Sequence, residues 1–181
     1  MNLDRIILSS QKNIERAGTR DPFIIAREMG VMVRHKDLGS LMGMYKYYDK
    51  NNRYITINQY LPYCAQVVIC HHEIGHDTHD QDIAKNRIIQ DIRINLNDPI
   101  ELRANMYAVE TQFDDNDILA FLEYGYTVEQ IAMETGTYAD YVAMKLEMLR
   151  YKGYKIKEFE YNPNFLRVAE GKQNGSDYCA C

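Results

Sequence analysis

The chain has 181 residues, 46% of them apolar, with a formal net charge of −5 and a pI of about 5.5. That length fits one domain, or one with a small appendage, and is enough to bury a core. The acidic balance argues against a protein that holds nucleic acid mainly by charge, which needs a basic excess. The opening Met1-Asn2-Leu3-Asp4-Arg5 has no basic stretch leading into an apolar run, and no segment approaches the apolar length of a membrane span, so a soluble, cytoplasmic protein away from membranes is expected.

Residues 3–17 read as a polar amphipathic helix with Leu3, Ile6, Ile7 and Ile14 on its apolar side, ended by Thr19 to Asp21. Asp21-Pro22 starts a second helix, Asp as N-cap and Pro in the first helical position, which runs to about Met29 and stops at Gly30. Val31 to Val33 read as a short strand. Leu41–Tyr47 and Arg53–Asn58 alternate apolar and polar around the turn formers Asp49-Lys50-Asn51-Asn52, a hairpin signal. In its second strand Ile55 and Ile57 point one way, Tyr54 and Thr56 the other.

Pro62 opens a long helix to about residue 80, with Ala65, Val68, Ile69, His72 and His76 at helical spacing. Residues 81–97 are polar with scattered isoleucines and give an ambiguous signal. Asp98-Pro99 starts a further helix through about Phe113. Asp117–Tyr124 forms a short helix closed by Gly125, Thr127 to Gln130 is a capping box, and Gly136 separates that helix from the next, Tyr138–Tyr151. Residues 154–161 are compatible with a strand, and the tail after Gly171 reads as disordered. The four cysteines, Cys64, Cys70, Cys179 and Cys181, are expected as free thiols.

The chemistry concentrates at His72-Glu73-Ile74-Gly75-His76. Residues four apart on a helix lie about 40° apart around the axis and about 6 Å along it, so the two imidazoles can converge on one ion. This His-Glu-x-x-His pattern is the zincin motif. Zinc held with one coordination position open supplies Lewis acidity to water and to a carbonyl. Glu73, one residue from His72, is placed to accept the water's proton and pass it to the leaving amine. His71 points about 100° away from His72 and is not expected as a ligand; exposed, it would titrate near its ordinary pKa.

A catalytic site needs a third protein ligand, and three residues compete. Asp82 stands ten residues after His72, but the glycine that lets the chain turn in such sites is replaced by His79. His79 itself lies about 10 Å along an ideal helix from His72, too far to share an ion unless the helix ends. Glu101 begins Glu101-Leu102-Arg103-Ala104-Asn105 and shares a helix face with Asn105, which could hydrogen-bond a zinc-bound histidine and fix its tautomer. On spacing alone, Glu101 as ligand and Glu101 as third residue of a capping box with Asp98 are evenly matched.

Over residues 22–150 the chain resembles the ImmA/IrrE family of phage and mobile-element metallo-endopeptidases. The likeness rests on Ile25 to Val33, the hairpin ending Tyr54-Ile55-Thr56-Ile57-Asn58, the motif His72 to His76, and Glu101-Leu102-Arg103-Ala104-Asn105-Met106-Tyr107-Ala108. The resemblance implies one Zn2+ per chain bound by His72, His76 and Glu101, with Glu73 catalytic and Asn105 behind the ligands. His71 stands where Ala is usual, Tyr107 replaces Phe, and Asp80 stands where His is often found. Relatives of this kind cleave helix-turn-helix repressors, so the resemblance implies a narrow-specificity endopeptidase whose partner is such a repressor. Specificity of that sort belongs to a docking surface outside the zinc site.

The expected fold is α+β: a mostly helical zincin-like domain over residues 1–113 with a small antiparallel sheet before the motif helix, a helical C-terminal part over 114–170, and a flexible tail over 171–181. Residues 127–151 have the spacing of a helix-turn-helix, but the second helix opens Tyr138-Ala139-Asp140-Tyr141, and Asp140 would repel phosphate. Val128, Ile131, Ala132, Val142, Leu146 and Leu149 instead suit a helical core. Two rival functions stay open at this level. One is a non-proteolytic zinc-containing regulator that binds a partner protein; the other is a DNA-binding regulator with a metal-sensing site.

Overall fold

In the computed structural model, which describes residues 2–91 and 98–156, the chain begins with α1 (Leu3–Ala17), capped by the Asn2 side chain on the Arg5 amide. Gly18 ends it in the left-handed conformation at φ 67°, which costs a residue without Cβ nothing. The stop thus comes just before the Thr19 to Asp21 segment expected to provide it. α2 (Pro22–Met29) has the expected Asp21 cap and Pro22 in its first turn, and ends at Gly30.

The strands are β1 (Met32–Lys36), β2 (Gly43–Asp49) and β3 (Asn52–Asn58), followed by α3 (Tyr63–His79), α4 (Gln81–Asn86) and β4 (Ile89–Asp91). The β2–β3 hairpin is antiparallel, and the Asp49 carboxylate accepts hydrogen bonds from the Asn51 amide and the Asn52 side chain to close its turn. Two further strands join it in the order β1-β3-β2-β4: β1 parallel to β3, and β4 antiparallel to β2. The sheet is therefore mixed. β1 extends past the Val31–Val33 segment because the parallel ladder with β3 continues through Lys36↔Asn58. β4 and α4 come from the stretch whose periodicity was ambiguous; Ala84 and Ile89 anchor them in the core.

The sheet's alternation sorts its side chains. Tyr45, Ile55 and Ile57 are buried with Ile69, Cys70 and Ile74 of α3, Ile6 of α1, Ile25 of α2 and Tyr107 of α5 (Pro99–Gln112) in one cluster. Arg34, Lys46, Tyr48 and Tyr54 occupy the opposite face. α3 and α5 cross in close contact: a Cβ on Gly75 would sit 2.9 Å from both the Cα and the carbonyl oxygen of Ala104. Only glycine allows the two backbones to meet there.

The described chain divides into two compact units, Met1–Asp114 and the part from Asp115 onward. The second holds α6 (Asp115–Glu123), α7 (Val128–Thr135) and α8 (Ala139–Tyr151). The Thr127–Gln130 capping box is present. All six apolar positions named for this part, Val128, Ile131, Ala132, Val142, Leu146 and Leu149, are buried. Lys145 is buried with its ammonium 2.6 Å from Asp115, which also pairs with Lys152. Burial works against that carboxylate's charge, yet the two lysines hold its pKa below the ordinary value.

Residues 154–156 carry no regular structure; the rest of the 154–161 segment and the tail after Gly171 lie outside the described residues. Cys70 is a free, buried thiol, but Cys64 is disulfide-bonded, which corrects the expectation of free thiols throughout. Sequence spacing shows only that Cys64 and Cys70 cannot easily reach each other, and does not set the bonded state of Cys64. Among the described residues no helix is long and apolar enough to cross a membrane.

Candidate metal centre

α3 carries His72, Glu73 and His76 on its buried length, and α5 carries Glu101 in its first turn. The Gly75–Ala104 crossing brings these two helices close enough for their side chains to share one point. His72 Nε2 lies 3.0 Å from His76 Nε2 and 3.3 Å from Glu101 Oε2, and His76 Nε2 lies 3.7 Å from Glu101 Oε1. Among the described residues these three side chains form a group able to hold a metal ion. Asp98 caps the Ile100 amide with its side chain, at 2.8 Å, while the Glu101 carboxylate lies beside the two histidines.

The far side of each ring is held. His72 Nδ1–H donates to Asn105 Oδ1 at 2.7 Å, and His76 Nδ1–H donates to Asp80 Oδ2 at 2.9 Å. Those acceptors fix the tautomer in which each Nε2 carries a lone pair. Two such lone pairs and a carboxylate oxygen directed at one point repel each other, and a cation between them relieves that repulsion. Nitrogen and oxygen donors in a two-His, one-carboxylate set suit zinc. The residues present therefore fit the ion that the sequence motif implies.

Asp80, named in the sequence only as standing where His is often found, is the acceptor behind His76. It is buried and ends α3, and Arg103 of α5 forms an ion pair with its other oxygen. Its place four residues after His76, on the same helical face, was the available signal. Asn105, which accepts from His72, is fully buried.

Glu73 is fully buried. Strand β2 crosses directly over its carboxylate: a Cβ on Gly43 would collide with Glu73 Oε1 and with Ile69 Cγ2. Gly43 thus makes room for the Glu73 carboxylate without any side chain of its own. One residue beyond His76, the buried Asp77 accepts from Tyr45 Oη and Arg53 Nη1, each at 2.6 Å, and Arg53 also reaches the Met29 carbonyl. Burial pushes the Asp77 carboxyl pKa up, against the pull of Tyr45 and Arg53. This network ties the motif helix to the sheet and to the end of α2.

The remaining candidates fall elsewhere. Asp82 is exposed and pairs with Lys85 at 2.8 Å. His79 bonds Ser9 of α1 at 3.0 Å and stacks edge-on against Tyr107; burial lowers its pKa to about 4. His71 is buried, not exposed, with Nδ1 3.0 Å from Thr111 Oγ1. Burial, with help from Arg20, lowers its pKa to about 3, so the exposure on which ordinary titration depends is not met. The reason is that α5 covers the α3 face that His71 occupies.

A family model for the M78 peptidases, described as the IrrE N-terminal-like domain, matches residues 26–153. The chain is 30% identical over 137 residues to the "Uncharacterized immunity region protein 2" of Bacillus phage phi105, an alignment covering 75% of this chain and 85% of that one. No solved structure matches it significantly. With the family model spanning well over half of the chain, this protein belongs to the M78 peptidase family, of the ImmA/IrrE kind.

Proposed function

We propose that this protein is a zinc-dependent endopeptidase of narrow specificity, acting on a helix-turn-helix repressor of a phage or mobile element. The observation that carries the reading is the convergence of His72, His76 and Glu101 next to a buried Glu73. Family membership and a relative named for a phage immunity region support the biological setting.

In this reading His72, His76 and Glu101 hold one Zn2+, which supplies Lewis acidity to water and to the scissile carbonyl. Glu73 takes a proton from the attacking water as the new carbon–oxygen bond forms. It returns that proton to the amide nitrogen as the carbon–nitrogen bond breaks, so water is added across the peptide bond with no other reactant. Asn105 and Asp80 keep both imidazoles oriented, and Arg103 holds Asp80 in turn. Gly43 keeps β2 from displacing the base.

The test is co-incubation of the purified protein with the repressor encoded beside its gene. Cleavage is expected with about one zinc per chain and is expected to stop on chelation. Glu73→Gln should bind zinc as before and lose roughly 100- to 10,000-fold in cleavage rate. Native-rate cleavage by Glu73→Gln would overturn the mechanism. A stable complex with intact repressor, under zinc-loaded conditions, would favour a regulator that binds without cleaving.

A further inference from the structure

The sheet's outward face forms a concave patch of about 430 Å3 on the side opposite α3, within the first unit. Arg34 and Lys36 of β1, Lys46 and Tyr48 of β2, and Tyr54 and Thr56 of β3 line it. Among the described residues, three cations and no carboxylate line this surface, although the chain as a whole carries a net charge of −5. Register explains the clustering: Met32↔Tyr54↔Lys46 and Arg34↔Thr56↔Met44 run across the three strands, so alternation puts these side chains on one face.

Two of the cations are held in place. The Arg34 guanidinium lies 4.2 Å from the centroid of the Tyr54 ring. Lys46 Nζ donates to the Ala84 carbonyl at 3.1 Å and lies 5.5 Å from the Tyr48 ring centroid. Fixed charges lose less side-chain entropy when a partner binds than free ones do. They also cover the ring faces on which nucleobases would stack. Three cations fall short of the row of phosphate contacts that holds a nucleic acid against salt.

We propose that this face is a docking groove for an acidic segment of a protein partner, remote from the metal centre. Carboxylate side chains would pair with Arg34, Lys36 and Lys46, and the tyrosines would supply apolar contact beside them. The proposal rests on the reading above only in taking the partner to be the protein substrate. A groove of this kind would provide the selectivity that a zinc site reading little but the peptide bond does not.

The test uses full-length, zinc-loaded Glu73→Gln protein and a fluorescein-labelled peptide of repeating Glu-Ser, read by fluorescence anisotropy. A Lys-Ser peptide and an oligothymidylate serve as competitors. The Glu-Ser peptide should bind, weaken as salt is added, and lose roughly tenfold in affinity in Arg34→Glu and again in Lys36→Glu. Both positions are exposed, and unchanged circular dichroism and zinc content would show that the variants are folded. No binding by the Glu-Ser peptide, equal binding by the variants, or tighter displacement by oligothymidylate or Lys-Ser peptide would overturn the proposal. None of these outcomes depends on hydrolysis, so the groove can fail while zinc-dependent cleavage stands, and the reverse.

Discussion

His79 shows how one residue's surroundings change its role. By sequence it competes for the ion; in the fold it turns to Ser9 and Tyr107 instead. Burial depresses its pKa from 6.5 to about 4, with Asp80 opposing and Arg103 and Arg5 reinforcing the shift. The unfolded chain therefore binds a proton on this ring near pH 6.5, while the folded chain resists it until about pH 4. Stability contributed by neutral His79 is present above pH 6.5 and is lost as pH falls from 6.5 toward 4. His79→Asn should flatten that part of the curve of unfolding midpoint against pH, measured by urea titration in the presence of zinc. An unchanged slope between those values would show that other groups set it. Asp80 gives the complementary lesson. As an isolated letter it is a departure from a pattern, but beside His76 and Arg103 it is the acceptor that orients a ring.

The decisive element pair is α3 with α5. Each helix could be read from its own caps and periodicity, and neither alone makes a site. Their crossing depends on Gly75, where an added methyl would meet the Ala104 backbone at 2.9 Å. Backbone cannot yield as a flexible side chain can, so Gly75→Ala should force the helices apart. A loss of about 1–3 kcal/mol in stability is expected, read as a lower unfolding midpoint, together with weaker zinc binding because Glu101 moves away from the histidines. Native zinc affinity in Gly75→Ala would show that the centre does not depend on this contact. The sheet repeats the theme: the hairpin is legible from alternation and turn residues, but a parallel partner from before it and a short strand from after α4 are set by long-range pairing.

For the molecule as a whole, an ion shared by α3 and α5 would lock the elements on which the first unit is built. Ligand that binds only the folded state stabilises it by mass action, about 2.7 kcal/mol at a concentration one hundred times Kd. Zinc added to chelator-treated protein should therefore raise the thermal unfolding midpoint, and His76→Ala should abolish that rise. A midpoint indifferent to zinc would count against a site at these residues.

The sequence by itself determined most of the local order: the caps at Asp21, Asp98 and Thr127, the hairpin turn, the helical face shared by His72 and His76, and the apolar positions of α7 and α8. These follow from interactions within a few residues, which spacing encodes directly. It also carried the family likeness through the His72–His76 and Glu101–Asn105 motifs, which implies Glu101 as a ligand where spacing alone left it balanced between ligand and cap. Only the tertiary structure sets the 3.3 Å between Glu101 and His72, because that distance depends on how α5 crosses α3. The same holds for Asp80 behind His76, Gly43 over Glu73, the buried His71 and the basic face of the sheet. Each depends on which distant segments the packing of one core brings together, and residue spacing alone does not set that.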